Sequence, residues 1–292
     1  MNVLVTGANG QLGNELRLRA ASFPNIHFIF TDVSEQAGSE TVYLDITNPD
    51  AVKIIAESEQ VDVIVNCAAY TNVDKAEDDV AFAQLLNSTA VKNLAVAAKA
   101  VDASLIHIST DYVFSGKACR PVCETDEPDP QSVYGATKLA GEKAVADSGC
   151  KAIIIRTAWL YSPFGKNFVK TMLRLTEQNS SIKVVCDQVG TPTYAGDLAD
   201  VILGIISGNQ LDRTGIYHFS DEGAISWYDF AQAILELSGN ECSIAPCKSG
   251  EFPAKASRPH YSVLDKTLIK NTFGITIPYW KESLIECMKK LK

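Results

Sequence analysis

The chain has 292 residues, 46% hydrophobic and 21% charged, an ordinary globular balance with room for one large domain or two modest ones. A net charge of −9, with no basic cluster, argues against nucleic acid or an anionic membrane surface as a partner. The eight cysteines are scattered without a C-x-x-C, and the four histidines include no H-x-x-x-H. No metal site is therefore expected, and the cysteine usage fits a reducing cytoplasm.

The opening MNVLVTGANG has neither a basic segment nor a long apolar core, so no secretory leader is expected. No apolar run reaches transmembrane length. Through the first half, short apolar runs alternate with helical patterns. Strands are predicted over residues 3–6, 26–31, 61–66, 104–109 and 152–156. Helices are predicted over 11–21, 51–58, 80–100 and 133–148, and a further strand precedes "LDI" at 44–46. This alternation predicts an α/β fold, a Rossmann-like doubly wound parallel sheet. Beyond about residue 160, Pro- and Gly-punctuated loops dominate, with helices over 167–177, 194–206 and 227–237 and near Ile285. The expected organisation is a dinucleotide-binding domain over 1–160 and a smaller, loop-rich, mainly substrate-binding lobe over 161–292, interleaved with the last sheet strands.

"GANGQLG" places Gly7, Gly10 and Gly13 directly after the first strand and at the start of a helix. A tight turn needs a residue without Cβ, and a pyrophosphate needs backbone N–H groups at close range, where the helix N-terminus adds partial positive charge. The position points to a dinucleotide; a glycine-rich turn packed without ligand is the bland alternative. Asp32, about 20 residues past the glycines, suits the adenosine ribose hydroxyls. No Arg or Lys stands beside it in sequence to receive a 2′-phosphate, which leans toward NADH. Asp45 could face the adenine amine or be a solvated strand-end aspartate.

Tyr134 and Lys138 in "SVYGATK" are four residues apart at the start of a predicted helix and share one of its faces. Upstream, Ser109, Thr110 and Asp111 follow a central strand, at the end where parallel sheets bind ligands. A free phenol has a pKa near 10. A neighbouring ammonium lowers it, and reaching about 7 would take about 4 kcal/mol, which a desolvated Lys138 together with a positive nicotinamide ring is expected to supply. The expected roles are Tyr134 as proton donor to a carbonyl oxygen, Thr110 as a second hydrogen-bond donor to it, and Lys138 as a ligand of the nicotinamide ribose.

The strings TGANGQLG, STDYVFSG, YGATK and NCAAYTNVDKAE resemble the extended short-chain dehydrogenase/reductase family. RTAWLYSPFGKNFVKTML, DQVGTPTYAGDLAD, GIYHFSDEGAISWYDFA and ASRPHYSVLD extend the resemblance over nearly the whole chain. It is similar within that family to enzymes that reduce the C4 ketone of a dTDP-4-keto sugar. The resemblance implies NADPH or NADH as cofactor, a dTDP-sugar as substrate, and a monomer or homodimer. It implies Thr110, Tyr134 and Lys138 as the catalytic trio, and Gly10, Gln11 and Leu12 at the pyrophosphate. Asp32, Asp45 and Ile46 would hold adenosine, and Ala69, Tyr70 and Thr71 would lie at the nicotinamide side. Thr110, Asp111, Tyr134 and Trp159 would contact the sugar. Some relatives dimerise through acidic side chains and magnesium, but no acidic cluster here suggests that. Ser115 stands where an acid is expected and Ala136 where the tetrad often carries Lys; neither change removes a catalytic group.

Other readings compete. Arg258 in "ASRP" suits a diphosphate or a surface ion pair. Asn87 could order a water or backbone near the site, or bond within the core. His107, between Ile106 and Ile108, reads as a packed, hydrogen-bonded histidine. An epimerase or dehydratase is the nearest enzymatic rival, although a dehydratase would carry an acid pair where this chain has only Asp111. A non-catalytic homologue, such as a methionine adenosyltransferase β subunit, is the alternative of a different class.

Overall fold

The computed structural model describes residues 1–35, 38, 40–252 and 254–291. The first half runs β1 (Asn2–Thr6), α1 (Gln11–Ala20), β2 (His27–Asp32), β3 (Val42–Tyr43), α2 (Pro49–Ser58), β4 (Val63–Asn66), α3 (Val73–Ala76), α4 (Val80–Gln84), α5 (Ala90–Ala100), β5 (Ser104–Thr110) and α6 (Val133–Ser148). The second runs β6 (Lys151–Thr157), β7 (Leu160–Tyr161), α7 (Phe168–Gln178), β8 (Ser181–Val185), β9 (Val189–Gly190), β10 (Thr193–Tyr194), α8 (Ala195–Ser207), β11 (Gly215–His218), β12 (Ile225–Ser226), α9 (Trp227–Ser238), β13 (Ser243–Cys247), α10 (Thr267–Phe273) and α11 (Trp280–Leu291).

Seven strands form a parallel sheet in the order β11-β6-β5-β4-β1-β2-β3. The strands are near-continuous apolar runs because helices cover both faces. Val3, Val5, Val63, Val65, Ile106 and Ile153 pack on one side with α1, α8 and α10. Leu4, Ile64, Leu105 and Ile154 point the opposite way, onto α2, α5 and α6. A separate cluster joins α7, α9 and α11 around Phe230. The strand order reverses between β1 and β4, and the crevice at their carboxyl ends is where such sheets accept ligands.

Local chemistry sets the ends of α6. The Ser132 side chain accepts from the Gly135 amide at the N-cap, and Gly149 closes the helix with φ +66°. The predicted helix over 80–100 is instead broken by a π-helical turn, Leu85–Thr89. Asn87 within that turn is fully buried and bonds out of the helix, accepting from Tyr70 N (2.8 Å) and donating to Tyr70 O (3.1 Å) and Thr137 Oγ1 (3.1 Å). Such interruptions recur where a side chain must be re-aimed, often at functional sites. Gly141 of α6 permits the approach, since a Cβ there would sit 2.2 Å from the Asn87 carbonyl oxygen. Strands β8, β11 and β13 and helix α10 were not predicted individually; all are short, and length is what separates strand from buried helix in an apolar run.

Candidate active site

The glycine turn opens the site. Gly7 has φ +66°, and a Cβ on it would lie 2.6 Å from Ala68 N, so the turn closes directly onto the segment after β4. Gly10 donates to Gly7 O (3.0 Å) and is the N-cap of α1. Gly7, Gly10, Gln11 and Leu12 line a cleft of about 810 Å³ that continues past Asp32, Asp45 and Ile46 on one side. On the other side it passes Ala69 and Thr71 to reach Thr110, Asp111, Tyr134, Lys138, Trp159 and Arg258. Gly13 and Tyr70 lie off its wall. A Cβ on Gly13 would meet Ala8 Cα at 2.5 Å, so this glycine serves helix–turn packing. Tyr70 is buried with its ring edge-on to Phe82, and its backbone is the part that Asn87 holds.

Asp32 Oδ2 accepts from Asn9 N (3.1 Å), and Oδ1 accepts from Ser34 N (3.1 Å) and Ser34 Oγ (2.9 Å). Asp45 Oδ1 accepts from Thr47 N (2.9 Å) and Oγ1 (2.7 Å). Helix-start amides, an acid ending β2 and a cleft running from both to Tyr134 form a donor set that fits a dinucleotide.

At the far end, α6 lays Tyr134 and Lys138 against β5. Lys138 is 2% exposed and donates from Nζ to Ile108 O (2.6 Å). Thr110 Oγ1 donates to Asp111 Oδ1 (2.9 Å) and accepts from Tyr112 N (3.2 Å). Tyr134 meets the Tyr112 ring edge-on, 5.4 Å between centroids. In the chain alone, burial rather than Lys138 sets the direction at Tyr134. Desolvation pushes its phenol up to about 12, against a hydrogen bond with Thr110 that lowers it, and Asp111 raises it further. Lys138 turns its charge to the Ile108 carbonyl instead. Burial lowers its ammonium to about 8, opposed by Glu142 and Cys67. Asp111 is buried and pushed up to about 6 by desolvation, opposed by hydrogen bonds from Ser262 and Thr110.

One turn beyond Lys138 on the same helix face stands Glu142. It accepts from Arg156 Nε at Oε1 (2.9 Å), from Arg156 Nη2 at Oε2 (2.7 Å) and from Ser109 Oγ at Oε1 (2.5 Å). Both charged partners are buried, so α6 is fastened to β5 and β6 by a bidentate ion pair that water scarcely screens.

Trp159 occupies the left-handed region at φ +49° and stacks on Trp227, 3.5 Å between centroids and 9° between planes. Trp227 lines both the cleft and a second, apolar chamber of about 660 Å³ bounded by Phe168, Met172 and Val184. Arg258 also reaches both chambers, and its Nη2 pairs with Asp74 Oδ2 (2.7 Å), the ion-pair alternative foreseen for it. His107 is packed as expected, with Nδ1 3.0 Å from Asn66 Nδ2, and burial lowers its pKa well below the usual histidine value. Cys67, Tyr112, Lys166 and Trp227 also wall the cleft without having been singled out from sequence. Each nevertheless lies within a string that carried the resemblance: Cys67 in NCAAYTNVDKAE, Tyr112 in STDYVFSG, Lys166 in RTAWLYSPFGKNFVKTML and Trp227 in GIYHFSDEGAISWYDFA. Among the described residues, no group of three or more His, Cys, Asp or Glu could hold a metal ion, and no helix is long and apolar enough to cross a membrane.

Comparison with known proteins agrees with this geometry. Residues 1–292 match the family model described as RmlD substrate binding domain. The chain is 39% identical over 301 residues to the dTDP-4-dehydrorhamnose reductase of Escherichia coli (strain K12), covering 100% of this chain and 98% of that protein. A crystal structure of a dTDP-4-dehydrorhamnose reductase from Clostridium acetobutylicum is 45% identical, with a TM-score of 0.92 over 100% of this chain and 99% of that one. The Bacillus anthracis dTDP-4-dehydrorhamnose reductase, solved in complex with NADP, is 37% identical, with a TM-score of 0.91 over 99% of both chains.

The Glu142–Arg156 pair makes a direct prediction. Arg156→Met leaves a buried carboxylate without its counter-ion and should cost about 3–5 kcal/mol, whereas the apolar pair Glu142→Leu/Arg156→Met should recover most of that loss. Urea unfolding of the three proteins checks this; equal instability of single and double variants would contradict it.

Proposed function

The chain belongs to the dTDP-4-dehydrorhamnose reductase family, and on that premise we propose how its own residues reduce the C4 ketone of dTDP-4-dehydro-β-L-rhamnose to dTDP-L-rhamnose. It is an NAD(P)H-dependent oxidoreductase of dTDP-rhamnose biosynthesis. Family membership selects the reductase over the epimerase, the dehydratase and the regulatory homologue.

When bound, NAD(P)H supplies the hydride that reaches the C4 carbonyl carbon. Tyr134 donates its phenolic proton to the C4 oxygen as the C–H bond forms. Its raised pKa keeps it protonated at neutral pH. The alkoxide developing at C4 is a stronger base than a phenolate, so the transfer runs downhill without prior acidification of the tyrosine. Thr110 hydrogen-bonds the same oxygen. Lys138 holds the nicotinamide ribose through its ammonium. Gly7, Gly10, Gln11 and Leu12 receive the pyrophosphate, Asp32, Asp45 and Ile46 the adenosine, and Ala69 and Thr71 flank the nicotinamide. Gly13 and Tyr70 act through shape, as the packing of α1 and of the Tyr70 backbone supports. Asp111 and Trp159 contact the sugar, Arg258 the diphosphate, and the apolar chamber beside Trp227 takes the thymidine. The reaction is placed in the cytoplasm.

The observation that supports this reading most is the convergence of Thr110, Tyr134 and Lys138 at the carboxyl end of β5, in one cleft with the glycine turn.

Purified protein given the keto sugar should consume NADPH absorbance. Tyr134→Phe should lower turnover by at least about a hundredfold while NADPH binding changes little; equal rates would remove Tyr134 as the acid. Lys138 carries its charge below a pKa of about 8, so its contribution to NADPH affinity is present at lower pH and lost as pH rises through about 8. Calorimetric titration should follow that loss in the wild type. Lys138→Met should bind weakly at every pH, and a parallel slope in the variant would count against the assignment.

A further inference from the structure

Asp32 lines the adenosine end of the cleft, and near it stands a cation that sequence proximity did not reveal. Arg17 projects from α1, and its guanidinium lies over the Phe30 ring, 4.4 Å from the centroid. Phe30 and Asp32 are two apart on β2, so their side chains leave the same face of the sheet. Arg17 therefore covers the face from which Asp32 projects. The two groups are close enough that the Asp32 charge raises the Arg17 pKa, against a larger desolvation that lowers it.

The surroundings are a ring of hydrogen-bonding groups. Arg17 Nη2 donates to Asn9 Oδ1 (3.3 Å) and Thr41 Oγ1 (3.1 Å), and Nη1 donates to Glu40 O (2.5 Å). The Asn9 amide is the one that binds Asp32 Oδ2, and Asn9 Nδ2 donates to Ser34 O (2.6 Å). Ser34, through its hydroxyl and amide, binds the other Asp32 oxygen. Arg17 Nε is buried and has no hydrogen-bond partner among the described residues. A buried charged donor without an acceptor is costly, and an anionic group brought to the neighbouring ribose site would offset part of that cost through its charge.

We propose that Arg17 is the residue that admits a 2′-phosphate at the adenosine ribose, and hence the determinant of NADPH use by this chain. It rests on the NAD(P)H reading of the cleft and names the cofactor form that the cleft selects. Asp32 alone favours ribose hydroxyls and repels a phosphate dianion. Arg17 offsets that carboxylate from the same face of β2, and the Ser34 hydroxyl on Asp32 Oδ1 supplies a further hydrogen-bonding group at the same carboxylate. The lean toward NADH drawn from the absence of a neighbouring cation thus reverses, because the cation arrives from the helix after the glycine turn rather than from the loop after β2.

A purely structural role is the competing account: Arg17 also ties Glu40 and Thr41 to Asn9. The two accounts separate by ligand. Calorimetric titration with adenosine 2′,5′-bisphosphate and with adenosine 5′-monophosphate compares sites that differ only in the 2′-phosphate. In Arg17→Gln, the bisphosphate should bind at least about tenfold more weakly, and the monophosphate should change by less than about twofold. Arg17→Lys keeps the charge and should retain part of the preference, which covers the case in which Gln disturbs the loop. Equal loss for both nucleotides, or no loss for the bisphosphate, overturns the proposal. Neither nucleotide carries nicotinamide or sugar, so the result stands apart from the reduction itself, which the Tyr134→Phe assay tests.

Discussion

Helix α6 carries both Tyr134 and Lys138, and the Glu142 carboxylate two turns beyond the tyrosine fixes that helix against the sheet through Arg156 on β6 and Ser109 on β5. Ser109 directly precedes Thr110, so the same contact that sets the height of α6 also sets the strand end facing the tyrosine. Three further contacts act in the same sense. Lys138 reaches the Ile108 carbonyl, Asn87 joins α6 to the Tyr70 backbone through Thr137, and Gly141 lets the two helices close on each other. A hydrogen bond at a reacting oxygen loses its value within a few tenths of an ångström, which is why a proton donor on a helix needs such fixing.

Burial then governs the protonation states. In a cleft of low dielectric, each titratable group moves toward its neutral form. The phenol of Tyr134 rises, the ammonium of Lys138 falls and the Asp111 carboxyl rises. For a reductase this is the useful direction. The acid must hold its proton until negative charge develops on the substrate oxygen, and a phenol acidified to neutrality would have lost that proton from much of the enzyme before the substrate arrived.

What the sequence made legible is what depends on neighbours in the chain. The glycine turn, the strand before it and the helix after it are local, and so are the i, i+4 spacing of Tyr134 and Lys138 and the 133–148 span of α6. Long-range contacts were not legible. The π turn exists because Asn87 must reach Tyr70 and Thr137, and nothing in the alanine-rich helical pattern signals that. Tyr70 sits between two residues that line the cleft, and only its packing against Phe82 turns it away. Arg17 comes to Asp32 through the stacking of α1 on β2. The balance at Tyr134 in the chain alone was likewise not legible: spacing puts an ammonium on the right face, but only the fold shows it bonded to a carbonyl while burial raises the phenol.

The central claim is that the fold holds Tyr134 as a protonated phenol across the working range of an enzyme. An ultraviolet pH titration of the phenolate difference absorbance, wild type minus Tyr134→Phe, tests it most directly. The account predicts that the two proteins titrate alike from neutral pH to about pH 10, with Tyr134 ionising only toward 12. An extra phenolate in the wild type with a midpoint near neutrality would contradict it.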